Sequence, residues 1–149
     1  MKLLQRTIAT RAGAAVVLIR LLVGSVFLSE GIQKFLFPAA QGTGRFVKIG
    51  IPWPELTAPF VGVVEIVFGI LVLVGLLTRL AAVPLIVDMI VAIATTKVPI
   101  LLEKGFWAMA HEARTDFSML LGAAFLLAVG SGTWSLDARL QPRPRSRLD

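Results

Sequence analysis

Four stretches of this chain are apolar for long enough to cross, or nearly cross, a hydrocarbon core of about 30 Å at about 1.5 Å per helical residue. They run from about Ala12 to Phe35, from Ala58 to Leu77, from Leu80 to about Thr96, and from about Asp116 to Val129. The last is the shortest and ends at Gly130-Ser131-Gly132. Only Thr78 and Arg79 separate the second stretch from the third, which predicts a tight antiparallel hairpin. Inside lipid the backbone finds no water, so each span must satisfy its own hydrogen bonds as a helix. The expected fold is all-α, a transmembrane four-helix bundle with antiparallel up-down topology. Composition agrees: the 149 residues are 56% hydrophobic and 16% charged, where a soluble domain is about a quarter charged.

The same composition removes several chemistries. Cysteine and tyrosine are absent and His111 is the single histidine, so disulfide exchange within the chain, bis-histidine haem, cysteine-ligated iron–sulfur clusters and the usual zinc sites lack ligands. The chain is expected to hold no metal and no intrinsic redox cofactor, so a redox role would borrow its electron carrier. The net charge of +6 is spread around the apolar spans, which fits flanks facing anionic lipid headgroups and not a nucleic-acid surface.

The opening MKLLQR resembles the basic start of a signal peptide, but the apolar stretch after it is too long, contains Arg20 and offers no small-x-small cleavage site. It reads as a retained helix. Basic residues then set the orientation. Lys2, Arg6, Arg11, Arg79, Arg139 and the three arginines of the tail QPRPRSRLD fall on one side; Lys34, Arg45, Lys48, Lys97, Lys104 and Arg114 fall on the other. The balance favours a multi-pass protein of the bacterial inner (plasma) membrane with both termini in the cytoplasm. The connections around Trp53 and around Phe106-Trp107 are expected to lie in the outer interface, where indole is partly apolar and partly wet.

Charge inside the spans is costly, about 2.5 to 3.5 kcal/mol for a central Arg or Asp. Arg20 lies nine residues past Arg11, Asp88 nine past Arg79 and Glu65 nine past Leu56 from the opposite side, each roughly 13 Å deep. On that arithmetic the three meet near the midplane. One arginine facing two carboxylates leaves negative charge unless a carboxyl holds a proton, so Arg20, Glu65 and Asp88 are a candidate proton-sharing cluster; the alternative is a structural network that fixes helix packing. Gly24 and Gly31 share a helical stripe with Arg20, Phe27 and Lys34, and Gly62 and Gly69 flank Glu65 on a matching one. Glu30, Lys34, His111, Glu112 and Asp116 form a candidate polar mouth at the outer end. Within it Glu30 and Lys34 are spaced for a surface salt bridge.

The stretch GIPWPELTAPFVGVVEIVFGILVLVGLLTRLAAVPLIVDMIVAI, with Arg20 and the Gly31-x-x-Lys34 ending of the first span, resembles the DoxX family of small four-helix membrane proteins. The ending GSGTWSLDARL is similar to that family's closing G-x-G-x-x-S-L-D, carried here by Gly130, Gly132, Ser135, Leu136 and Asp137. The resemblance covers about Arg20 to Asp137 and implies a DoxX-like domain, expected over residues 1–137; the proline-broken, basic QPRPRSRLD predicts a disordered cytoplasmic tail over 138–149. The resemblance also implies redox metabolism, since the family is named for a small subunit of a thiosulfate:quinone oxidoreductase and other members are linked to thiol-handling complexes. Its recurrent polar positions fall on Arg20, Lys34, Glu65 and Asp88.

These residues support first a membrane subunit of a redox-linked complex, handling a quinone or thiol and sulfur compounds with redox protein partners, and at most an oxidoreductase subunit without its own redox centre. A non-catalytic scaffold or assembly module is the alternative. A small transporter working as a homo-oligomer comes last.

Overall fold

A computed structural model describes residues 13–141. Within them the chain forms α1 (Val16–Leu36), α2 (Thr43–Lys48), α3 (Pro54–Val74), α4 (Thr78–Lys104), α5 (Phe106–Val129) and α6 (Leu136–Leu140), and no strand. Three of these helices, α1, α3 and α4, are long and apolar enough to cross a membrane. The 24-residue α5 has the length, but its first half carries Glu112, Arg114 and Asp116.

Local chemistry moves the helix ends away from where hydropathy puts them. Trp53, in the left-handed region at φ 49°, precedes Pro54 at the first helical position of α3, where a proline loses no hydrogen bond. At the other end Gly75 (φ 70°) caps the helix, its N–H bonding to the Val72 carbonyl at 3.1 Å and that of Leu76 to the Leu71 carbonyl at 2.9 Å. This is a Schellman ending. The second span therefore covers Pro54–Val74, earlier than the expected Ala58–Leu77.

The expected interfacial connection after Thr96 is replaced by helix. Pro99 removes only its own N–H, and α4 continues to Lys104, with the Thr95 and Thr96 hydroxyls bonded back to the Val91 and Ala92 carbonyls at 2.8 and 2.6 Å. The break comes at Gly105 (φ 84°), and α5 starts at once with Phe106 and Trp107. Their rings meet edge to face, with centroids 5.2 Å apart.

Packing starts from α1 on α3. A Cβ added to Gly31 would lie 2.7 Å from the Gly62 carbonyl oxygen, and one on Gly24 would lie 2.9 Å from that of Gly69. The two backbones approach where both helices carry glycine, and the pairing of 24 with 69 and of 31 with 62 makes them antiparallel. α5 joins through Gly122 against Val23. Val23, Phe27, Val72, Leu85, Met119 and Leu126 fill the core between the helices. Leu18, Leu22, Val63, Val67, Val83 and Val87 point outward and remain exposed, as expected for faces bathed in lipid. α4 buries Thr78, Ala81, Ala82 and Leu85 near its start and then only Lys97. Past Leu85 its contact with the core narrows to the half-buried Ile86 and Met89, and a cavity opens beside Asp88, Val91 and Ala92.

The tail expected from residue 138 onward begins inside α6, since Leu136–Leu140 is helical with the Ser135 hydroxyl accepting from the Ala138 N–H at 3.1 Å. Residues 142–149, and residues 1–12 with Lys2, Arg6 and Arg11, lie outside the described residues.

Replacing Gly31 with Ala drives a methyl into the Gly62 carbonyl and is expected to lower stability by about 1–3 kcal/mol. Gly13→Ala, where an added Cβ meets nothing within 4 Å, is expected to stay within about 0.5 kcal/mol. Thermal unfolding in detergent compares them, and equal effects would rule out close α1–α3 contact as the limiting constraint.

Candidate functional site

The charges inside the helices sort into two groups at different depths. Arg20 sits near the start of α1, about 6 Å from Val16 along the helix axis, whereas Glu65 lies about 17 Å into α3 and Asp88 about 15 Å into α4. The antiparallel register sets Arg20 opposite Val72 and Leu73. Its Nε donates to the Val72 carbonyl at 2.9 Å and its Nη2 to that of Leu73 at 2.5 Å; its Nη1 donates to the Ser131 and Trp134 carbonyls at 3.2 and 2.5 Å. A helix C-terminus leaves orphan carbonyls that carry partial negative charge, and a buried guanidinium answers both needs.

Asp137 completes this end. Only 1% exposed, it accepts from the Leu77 N–H at 2.7 Å and the Thr78 N–H at 3.0 Å, and its own N–H donates to the Gly75 carbonyl at 2.9 Å. The carboxylate thereby caps the N-terminus of α4. Ser131 and Ser135 hydroxyls lie 2.9 Å apart, and Ser135 donates to the Gly132 carbonyl at 2.6 Å. Segment 130–137 is thus clamped over the α3–α4 turn. At that turn a Cβ on Gly75 would fall 2.6 Å from both Arg20 Cζ and Ser135 Cβ.

The second group lines the cavity, of about 590 Å³, between α1, α3, α4 and α5 and beneath α2. Lys34 Nζ donates to Glu65 Oε2 at 2.5 Å, with both side chains nearly buried. Asp88 lines the same cavity, close enough to Glu65 for the two carboxyls to interact. Helix geometry explains the Lys34–Glu65 meeting: Cα–Cβ bonds tilt toward each helix's N-terminus, so Lys34 leans back toward Gly31 and Glu65 leans toward Gly62, the two glycines in contact. Nearer the mouth Lys97 pairs with Asp116 at 3.2 Å. Phe46, Ile51, Phe60, Val61 and Met119 supply apolar wall.

A family model described as DoxX matches residues 15–98, which include Arg20, Lys34, Glu65 and Asp88. The chain belongs to the DoxX family. It is 60% identical over 135 residues to "Uncharacterized membrane protein Rv3486" of Mycobacterium tuberculosis, covering 87% of this chain and 83% of that protein. It is 32% identical over 121 residues to "Putative oxidoreductase CatD" of Bacillus subtilis, covering 80% and 82%. No solved structure matches. The family match stops short of segment 130–137, which the resemblance in sequence includes.

In this DoxX chain the structure brings Glu65 and Asp88 together and does not bring Arg20 to them. The equal depth inferred for Arg20 is counted from Arg11, whereas α1 starts at Val16, so Arg20 lies less than half as deep as the count implies. Lys34 takes the place assigned to Arg20. It also pairs with Glu65 and not with Glu30 one turn away, because the buried carboxylate has the greater need of a cation. Of the expected mouth, Glu30, Lys34, Glu112 and Asp116 line the cavity. His111 is exposed, and its carbonyl accepts from Arg114 Nη1. Lys97 and the aromatic walls Phe46 and Phe60 are additions to the expected set. Lys97 has a signal, being a lysine on the span helix that carries Asp88; nothing in the periodicity marks the phenylalanines.

Lys34→Met leaves the Glu65 carboxylate buried without its cation and is expected to destabilise by about 3–5 kcal/mol. The double change Lys34→Met with Glu65→Leu is expected to recover most of that loss. A double-mutant cycle on thermal stability in detergent measures the coupling, and additive effects would remove the pair from the account. At the other end, Arg20→Lys is expected to cost stability, since one ammonium cannot reach carbonyls spread over α3 and segment 131–134 as a planar fork does.

Proposed function

We propose that this DoxX protein is an integral four-helix bundle of the bacterial inner membrane, up-down in topology with both termini cytoplasmic, and that it serves as a membrane subunit of a redox-linked complex. The observation that carries the reading is the Lys34–Glu65–Asp88 set inside an apolar-walled cavity of about 590 Å³, a size usual for small-molecule sites of about 300–1,000 Å³. Two carboxyls share the cavity with one lysine, so a proton held between the carboxyls would balance the charge, and the Lys34 ammonium supplies N–H donors. Such a set can hold a proton and offer an N–H to a carbonyl oxygen. A quinone, when bound, takes up electrons together with protons. The residues fit its head through Lys34 as donor, Asp88 and Glu65 as proton holders, and Phe46 and Phe60 as walls. The similarity to "Putative oxidoreductase CatD" supports the redox direction. With no cysteine and one histidine in the chain, electrons would come from a partner protein.

A scaffold reading draws support from the opposite end, where Arg20 and Asp137 are wholly engaged in holding the α3–α4 turn to segment 130–137. The two readings divide on the cavity. In lipid nanodiscs, saturable binding of a menaquinone- or ubiquinone-type head is expected, weakened about tenfold or more by Glu65→Gln or Asp88→Asn through loss of a charge-assisted contact. Absence of saturable binding in the unaltered protein, or binding indifferent to both substitutions, would leave the scaffold.

A further inference from the structure

The cavity's lining is exposed in two places of different chemistry. One is at the outer end, ringed by the exposed charged side chains Arg45, Glu112 and Arg114. The other lies on the side of the molecule. Phe60 on α3 and Val91 on α4 both line the cavity, yet are 66% and 46% exposed. Phe60 is about 9 Å into α3 and Val91 about 20 Å into α4, so both lie along the spans and away from the helix ends. Their neighbours on the outer surface, Val63 and Val87, are also exposed. The slot lies where α4 has no fully buried residue, between Leu85 and Lys97, and keeps only the half-buried Ile86 and Met89 against the core. Three residues past Leu85 its face carries Asp88, which lines the cavity with Glu65.

An aqueous substrate has no use for an apolar side opening at this depth, and a buried charged set has no use for contact with hydrocarbon. Both fit one occupant with a polar head and an apolar tail. We propose that the cavity is loaded from the bilayer through the slot between α3 and α4, flanked by Phe60 and Val91, by an amphiphile whose head reaches Glu65 and Asp88 while its hydrocarbon tail stays in the slot. The charged outer mouth then serves water and protons alone. This rests on the quinone-site reading above and adds to it the route and the requirement for a tail.

The probes are a quinone head bearing a ten-carbon tail and the same head without it, with binding followed in nanodiscs by stopped-flow quenching of the intrinsic tryptophans. The tailed probe is expected to bind more tightly. Val91→Trp, which narrows the slot, is expected to slow its association about tenfold and leave the tail-less probe unchanged, within the one to three decades over which association rates vary at a single site. Phe60→Ala, which widens the slot, is expected to speed the tailed probe, and it keeps the test decisive should the tryptophan variant fail to fold. If both probes bind and neither slot variant alters the tailed probe's association, the lateral route is overturned while the quinone reading stands. If neither probe binds the unaltered protein, that reading falls and the route with it.

Discussion

Backbone contact between α1 and α3, possible only because glycines oppose one another at 24 and 69 and at 31 and 62, sets the register on which the other polar contacts depend. Without hydrophobic drive between helices in lipid, close approach of backbones through small residues is what holds them together. That register sends Arg20 to the frayed end of α3 and leans Lys34 into Glu65. A slip by one helical turn would expose a guanidinium and a carboxylate to hydrocarbon at once. The four glycines and the two buried charges thus enforce the same alignment from different directions.

The two polar groups divide the labour between them. At the α3–α4 turn, Arg20 and Asp137 bond backbone groups left with spare capacity by the chain reversal: carbonyls at the end of one helix, N–H groups at the start of the next. Their bonding capacity is taken up by the fold. Across the cavity, Lys34 bonds to Glu65 with Asp88 beside them, next to open volume. Charge that serves the backbone holds the fold together. Charge that faces a cavity is available for chemistry.

The helical character of the chain, the membrane as its surroundings, the DoxX family and the glycine stripes are all legible in residue order alone, because hydropathy and a period of 3.6 residues depend only on local sequence. Glu65 and Asp88 are also legible as neighbours, since the short hairpin between their helices leaves little freedom in where they meet. The depth of Arg20 is not, because α1 starts at Val16, well past the flanking Arg11 from which the depth is counted. The bounds of α3 and the end of α4 are set by Pro54, Gly75 and Gly105 through capping geometry. The helix running through Pro99 is hidden for a related reason: in a span, a proline costs one hydrogen bond and need not end the helix.

What the sequence by itself determined is the set of charges that enter the membrane and the faces of the helices on which they sit, since both follow from residue order and helical period. Only the tertiary structure decided which charge meets which. A one-residue change in helix start or interhelical register moves a side chain by about 1.5 Å along the axis and 100° around it, and a hydrogen bond tolerates neither. Lys34 with Glu65, Arg20 with the ends of α3, and Asp137 with the start of α4 are products of that register. So is the exposed stretch of cavity wall at Phe60 and Val91, where α4 fully buries no residue between Leu85 and Lys97.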